Sequence, residues 1–182
     1  MTEPTTTRVL LLPGNTRLAS SNVAALRTAA AVAPSGMDTV LYDQLSALPA
    51  FNPDHEDPLP PASADLRAQL AAADAVLICT PEYAHALPGS FKNLLDWTVG
   101  GGQLTGKPVA WLNISAEGKG EPAHESLAMV LTYLRAEIVE KACGRLPLNR
   151  DMLGDDGTVA EPAARATIAS LMRALQDHLT SR

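Results

Sequence analysis

Two short segments of the 182-residue chain hold the side chains best suited to chemistry. The first is Pro13-Gly-Asn-Thr-Arg-Leu-Ala-Ser-Ser-Asn22, dense in small hydroxyls and amides around one arginine. Asn15, Thr16, Ser20 and Asn22 can each donate a hydrogen bond, and Arg17 can add a charge-assisted, two-pronged contact. Such donors at the start of a helix suit a phosphate, because free N–H groups and the dipole there favour anions. The plainer alternative is a helix cap at Ser20 or Ser21 beside a surface arginine. The segment matches neither G-x-G-x-x-G nor G-x-x-x-x-G-K-[ST], so the common dinucleotide and triphosphate loops are excluded.

The second segment runs from Thr80 to Trp97 and begins as a proline-framed loop. Tyr83 is an amphipathic ring, fit to lie against a flat ligand or to sit half-buried at the surface. Glu82 is either a general base or a solvated loop carboxylate. His85 reads as a surface histidine. Lys92, Asn93 and Asp96 can decorate a helix face, and Trp97 reads as a packing residue.

These segments need elements to hold them. Arg8 to Pro13 is a short apolar run stopped by Pro-Gly and reads as a buried strand; Thr2 to Thr7 reads as a flexible lead-in. Strands are also expected over Asp38–Tyr42, Asp74–Thr80, Pro108–Ser115 and Ile138–Cys143. Helices are expected over Ser21–Ala33, Ser63–Ala73 (capped by Ser63), Pro88–Trp97, Pro122–Arg135 and Val159–Leu179. Residues 43–62 hold Pro49, Pro53, Pro58, Pro60 and Pro61 among several acids, and read as a long extended loop. Loops of that length are usually functional or sit at an interface.

The order is five alternations of strand and helix. That is the signature of a doubly wound parallel sheet with helices on both faces, flavodoxin-like or a short Rossmann variant. Ligands of such sheets sit beyond the carboxyl ends of the strands. The residues to inspect are therefore those after strands one, three and four. One domain, residues 1–182, accommodates the whole pattern. At about 70% of its unfolded surface buried, it needs no staple.

Composition removes several function classes. Lys and Arg total 14 against 20 Asp and Glu, a net charge of −6. That opposes a nucleic-acid surface and a polybasic membrane patch. Val9 to Leu12 is too short for a signal-peptide core, and no apolar run approaches a membrane span. Cys79 and Cys143 form neither a disulfide framework nor a CxxC pair, so a cytoplasmic setting with reduced thiols is expected. Asp54-His55-Glu56-Asp57 reads as a solvated acidic loop rather than a metal site, because neighbours in an extended loop point different ways. No G-x-S-x-G hydrolase elbow is present. Asp151, Asp155 and Asp156 fall in a turn-rich stretch that reads only as a lead into the last helix.

Taken together, Gly14-x-x-Arg17-x-x-Ser20-x-Asn22, Pro81-Glu82-Tyr83 and Leu87-Pro88-Gly89-x-Phe91-Lys92-Asn93-x-x-Asp96-Trp97 resemble the NAD(P)H-dependent FMN reductase family. The likeness runs from about Arg8 to Arg135, with Leu45 to Asp54 similar to the family's segment after strand two. It implies a flavodoxin-like five-stranded parallel sheet, FMN as cofactor and NADPH or NADH as electron donor. Arg17, Ser20 and Asn22 would hold the FMN phosphate, with Asn15 and Thr16 beside them. Pro81, Glu82 and Tyr83 would contact the flavin ring, with Ala84 next to them. After strand four, Ser115 and Gly118 would offer polar or backbone contacts to the flavin.

The resemblance further implies hydride transfer from nicotinamide to flavin and on to a flavin, quinone or other small acceptor, by a ping-pong scheme. No side chain need donate a proton, so no catalytic residue is assigned. Homodimers or homotetramers are common in the family, with the acidic loop and the Phe91–Trp97 helix as candidate contacts. Four departures stand out, the first being Asn15 where the family often has Ser. Ala84 replaces a frequent Asn, Lys119-Gly120-Glu121-Pro122 replaces a Gly-Gly-x-Arg pattern, and Val99-Gly100 stands near a frequent Ser-Arg. The competing reading is a flavodoxin-type electron carrier or a redox-silent FMN protein. A response-regulator receiver is excluded, because Pro13-Gly14 and Pro81 occupy the places of its acids.

Overall fold

The computed structural model describes residues 6–182. Residues 1–5 of the expected lead-in lie outside the described residues, and Thr7 already belongs to the first strand.

The elements follow in the order β1 (Thr7–Pro13), α1 (Ser21–Ala31), β2 (Met37–Leu41), α2 (Pro61–Ala72), β3 (Ala75–Cys79), α3 (Gly89–Asp96), β4 (Pro108–Asn113), α4 (Glu121–Tyr133), β5 (Glu137–Ile138), β6 (Gly144–Arg145) and α5 (Pro162–Thr180). The strands pair in parallel, in the order β2-β1-β3-β4-β5. This is the flavodoxin-like doubly wound sheet.

Both faces of the sheet are covered, which is why its strands read as apolar runs rather than as alternations. Successive residues of a strand point to opposite faces. Thus Leu10 and Leu12 join Leu66 and Leu70 of α2, Phe91 and Leu94 of α3, and Leu127 and Leu131 of α4. Val9 and Leu11 join Leu26 and Ala29 of α1, and Ile168 and Met172 of α5.

Three expected boundaries move, each for a local reason. The fifth strand is not continuous over Ile138–Cys143. The chain pairs with the start of β4 as β5, turns through a 3-10 helix at Glu140–Ala142, and pairs with the end of β4 as β6. Helix α2 begins at Pro61 rather than Ser63, since proline is pre-set for the first helical position; Ser63 is buried inside the first turn. Helix α5 begins at Pro162 by the same rule, with the Glu161 carboxylate accepting from Ala163 N–H. Val159 lies instead in a bridge to Leu153.

The long loop, residues 43–62, is fastened to α3. Asn93 donates to the Pro49 carbonyl at 2.8 Å and accepts from Phe51 N–H at 2.7 Å. Trp97 Nε1 donates to the same carbonyl at 2.9 Å, and the Phe51 and Trp97 rings meet edge-on at 5.0 Å. Asn93 is therefore a loop anchor rather than decoration. Phe91 and Trp97 are fully buried, so they offer nothing to a second copy. Glu56 of the acidic run pairs with Arg67 at 2.7 Å.

Candidate functional site

In register, Pro13 of β1 sits beside Cys79 of β3, and Ile78 of β3 beside Trp111 of β4. The loops after these strands therefore emerge side by side at one edge. The first is drawn tightly against β3, with Gly14 N–H donating to the Cys79 carbonyl at 2.9 Å. A methyl at Gly14 would overlap the Thr80 side chain and come within 2.8 Å of its Cα, so no larger residue fits.

The first loop organises itself around Asn15, which is 4% exposed. Its amide donates to the Arg17 carbonyl at 2.9 Å, and its oxygen accepts from the Ser20 hydroxyl at 3.3 Å. Ser20 caps α1 by accepting from Val23 N–H at 3.2 Å. The choice between Ser20 and Ser21 as cap is thus settled for Ser20. The N–H groups of Ser21 and Asn22 have no acceptor among the described residues. Asn22 is 8% exposed, and its oxygen accepts from the Cys79 thiol at 3.2 Å. Burial pushes that thiol far above the usual range, so it stays protonated and able to donate. With the oxygen engaged, the Asn22 amide N–H pair is left free among the described residues.

These groups border a hollow of about 410 Å³, lined by Asn15, Arg17, Ala19, Ser20, Ser21, Asn22, Pro81, Tyr83, Arg150 and Leu153. Asn15, Arg17, Ser20, Asn22, Pro81 and Tyr83 are thereby brought together. Thr16 is exposed on the same loop but does not line the hollow. Arg150 and Leu153 are the residues that sequence reasoning missed. Their stretch leads into α5, but it follows the last strand and so ends at the same edge.

The second loop makes a tight turn. Tyr83 and Ala86 exchange N–H···O bonds of 3.1 Å, and Ala84 and His85 between them have φ of 50° and 59°. Left-handed backbone at both central positions is the two-residue hairpin turn that favours Asn and Gly. The turn presents Tyr83, 56% exposed, at the rim of the hollow. Ala84 is exposed at the tip and does not line it.

Glu82 turns the other way. Its carboxylate accepts from Gly120 N–H at 3.0 Å, tying the second loop to the loop after β4. His85 Nδ1 stands 3.6 Å from the other oxygen. The Gly120 carbonyl in turn accepts from His124 Nδ1 at 2.7 Å. Burial holds His124 below the usual histidine range, against the pull of the Gly120 carbonyl and Glu121. Glu82 is accordingly a tie between loops rather than a free base. Ser115 and Gly118 belong to that third loop and do not line the hollow. Ser115 N–H donates to Asn113 Oδ1 at 3.0 Å, and Gly118 has φ of 72° in an exposed turn.

What the arrangement can bind is an anion with a flat body. Its lining combines free N–H groups, a free amide and two arginines with a proline and a tyrosine. A flavin mononucleotide has this mixed character, so the residues present fit the group.

Comparison with known proteins agrees with that fit. An NAD(P)H-dependent FMN reductase of Pseudomonas aeruginosa is 34% identical over 173 residues, covering 93% of both chains. A quinone reductase of Escherichia coli is 31% identical over 140 residues, covering 74% of both. Among solved structures, the flavoenzyme NAD(P)H:(acceptor) oxidoreductase FerB of Paracoccus denitrificans superposes with a TM-score of 0.84 at 23% identity. That superposition covers 96% of this chain and 98% of FerB, and it speaks for the fold. The family model described as NADPH-dependent FMN reductase matches residues 7–144, and the chain belongs to that family.

Proposed function

We propose that the hollow beside α1 holds the FMN phosphate and that the protein passes reducing equivalents from NADPH or NADH to a small acceptor such as a flavin or quinone. Membership of the family makes the chain an oxidoreductase that works with FMN and a reduced nicotinamide. The observation carrying the assignment of the site is the buried Asn22, whose oxygen is occupied by Cys79 while its amide faces an anion-favouring hollow.

When bound, FMN would supply the redox chemistry, hydride acceptance from the nicotinamide and electron release to the acceptor, in what we propose is a ping-pong order. The protein's part is placement. Arg17, Asn22 and the N–H groups of Ser21 and Asn22 hold the phosphate, with Asn15 and Ser20 bracing their loop and Thr16 beside it. Pro81 and Tyr83 border the ring. Glu82, acting through Gly120, keeps the second and third loops together, and Ala84, Ser115 and Gly118 form the surrounding edge. Backbone N–H groups of these loops would be the donors available to stabilise negative charge on the ring.

The setting we infer is cytoplasmic, since Cys79 and Cys143 are both free and no helix of the described residues is long and apolar enough to cross a membrane. A homodimer or homotetramer is the assembly we expect. The faces left for it include the acidic loop and the Lys92–Asp96 side of α3; light scattering measures the mass.

The first experiment is the visible spectrum of protein purified with FMN, followed by anaerobic NADPH. Retained flavin bands that bleach on NADPH support the reading. Bound flavin reduced by dithionite but not by NADPH or NADH would indicate an electron carrier or a redox-silent protein. Arg17→Ala should weaken FMN retention by about tenfold or more, the worth of one charge-assisted bond, as read by fluorescence titration.

A further inference from the structure

We propose that Arg150 is a second guanidinium of the phosphate site, so that Arg17 and Arg150 together match one phosphate monoester. This rests on the FMN reading above. The hollow is lined by both arginines and by no Asp or Glu, in a chain whose net charge is −6. None of the ion pairs among the described residues involves either guanidinium. A phosphate monoester carries about 1.5 to 2 negative charges at neutral pH, which one arginine does not balance.

Arg150 is delivered to this place by built structure. Pairing with the end of β4 continues past β6, with Leu146 N–H donating to Asn113 O at 2.8 Å and Leu148 N–H to Ile114 O at 3.0 Å. A 3-10 turn over Arg150–Met152 follows. Leu153 then bridges to Val159, and Val159 N–H donates to the buried hydroxyl of Thr28 on α1 at 2.8 Å. The turn is thus moored to the same helix whose first turn borders the hollow. Asn22, 8% exposed and with its oxygen held by Cys79, lines the same hollow and offers its amide beside the two arginines.

The test is a pair of titrations, FMN and riboflavin, on the intact protein and on Arg150→Gln and Arg150→Lys, with thermal unfolding of each. Arg150→Gln is expected to weaken FMN about ten- to a hundredfold, leave riboflavin unchanged, and flatten the salt dependence of FMN binding. Arg150→Lys should recover part of the loss. Unchanged FMN affinity in Arg150→Gln overturns the proposal. So does an equal loss for both flavins, which would mean a structural role. So does an effect confined to the KM for NADPH relative to NADH, which would assign Arg150 to the nicotinamide phosphate. If the unaltered protein binds riboflavin as well as FMN, the phosphate reading itself falls, and this inference with it.

Discussion

At the scale of single residues, the proposed site depends on a side chain that would not itself touch the phosphate. Cys79 lies at the end of a central strand, where its thiol decides which way the Asn22 amide faces. Cys79→Ala removes that donor and frees the amide to rotate. FMN affinity should fall about three- to tenfold, the worth of one neutral hydrogen bond, while riboflavin affinity holds. Cys79→Ser keeps a donor and should keep most of the affinity. Equal behaviour of the alanine and serine variants would show that the thiol only fills space.

At the scale of elements, the loops trade strain against order. Ala84 and His85 both occupy left-handed backbone, which costs a residue with a Cβ about 1–2 kcal/mol. Asn tolerates it better, so Ala84→Asn should stabilise the protein by up to about 1 kcal/mol in urea unfolding. The long loop depends on α3 instead. Asn93→Ala would strip partners from both Pro49 O and Phe51 N–H and should cost about 1–3 kcal/mol in the same assay.

The same contrast explains what could be read from sequence. Strands buried on both faces announce themselves as apolar runs, and Val9 to Leu12 and Val76 to Ile78 needed no context. Asn15, Arg17, Ser20 and Asn22 were visible because they crowd into one segment after the first strand. Arg150 was not, because it reaches the hollow through pairing with β4 and a bridge to α1, contacts distant in sequence. The orientation of Glu82 depends likewise on Gly120, 38 positions away. Asn93 could not be told from a surface residue until the loop it holds was placed.

At the scale of the whole molecule, stability should depend on pH through His124. Burial disfavours its charged form, outweighing the Gly120 carbonyl and Glu121, while Arg145 adds to the effect. The unfolded chain therefore binds a proton more readily than the native one. Stability from this group is complete above the ordinary histidine value of about 6.5 and falls as pH drops from there through the lower native value. Urea midpoints from pH 8 to pH 5 should decline, and His124→Gln should remove part of that slope. An identical slope in the variant would place the titration elsewhere.

The broken fifth strand has a further consequence, for how molecules behave when crowded together. An edge of a sheet can recruit a neighbour's backbone if it offers several consecutive free N–H and C=O groups. Here that border is the two residues of β5, a 3-10 turn, and then the stretch from Gly144 to Leu148 that pairs with the end of β4. An incoming strand meets the turn at Glu140–Ala142 before it can pair along the whole border. The interruption that blurs the sequence pattern thus guards this side of the protein against fibre-like stacking. Straightening residues 139–143 into extended chain would take that guard away.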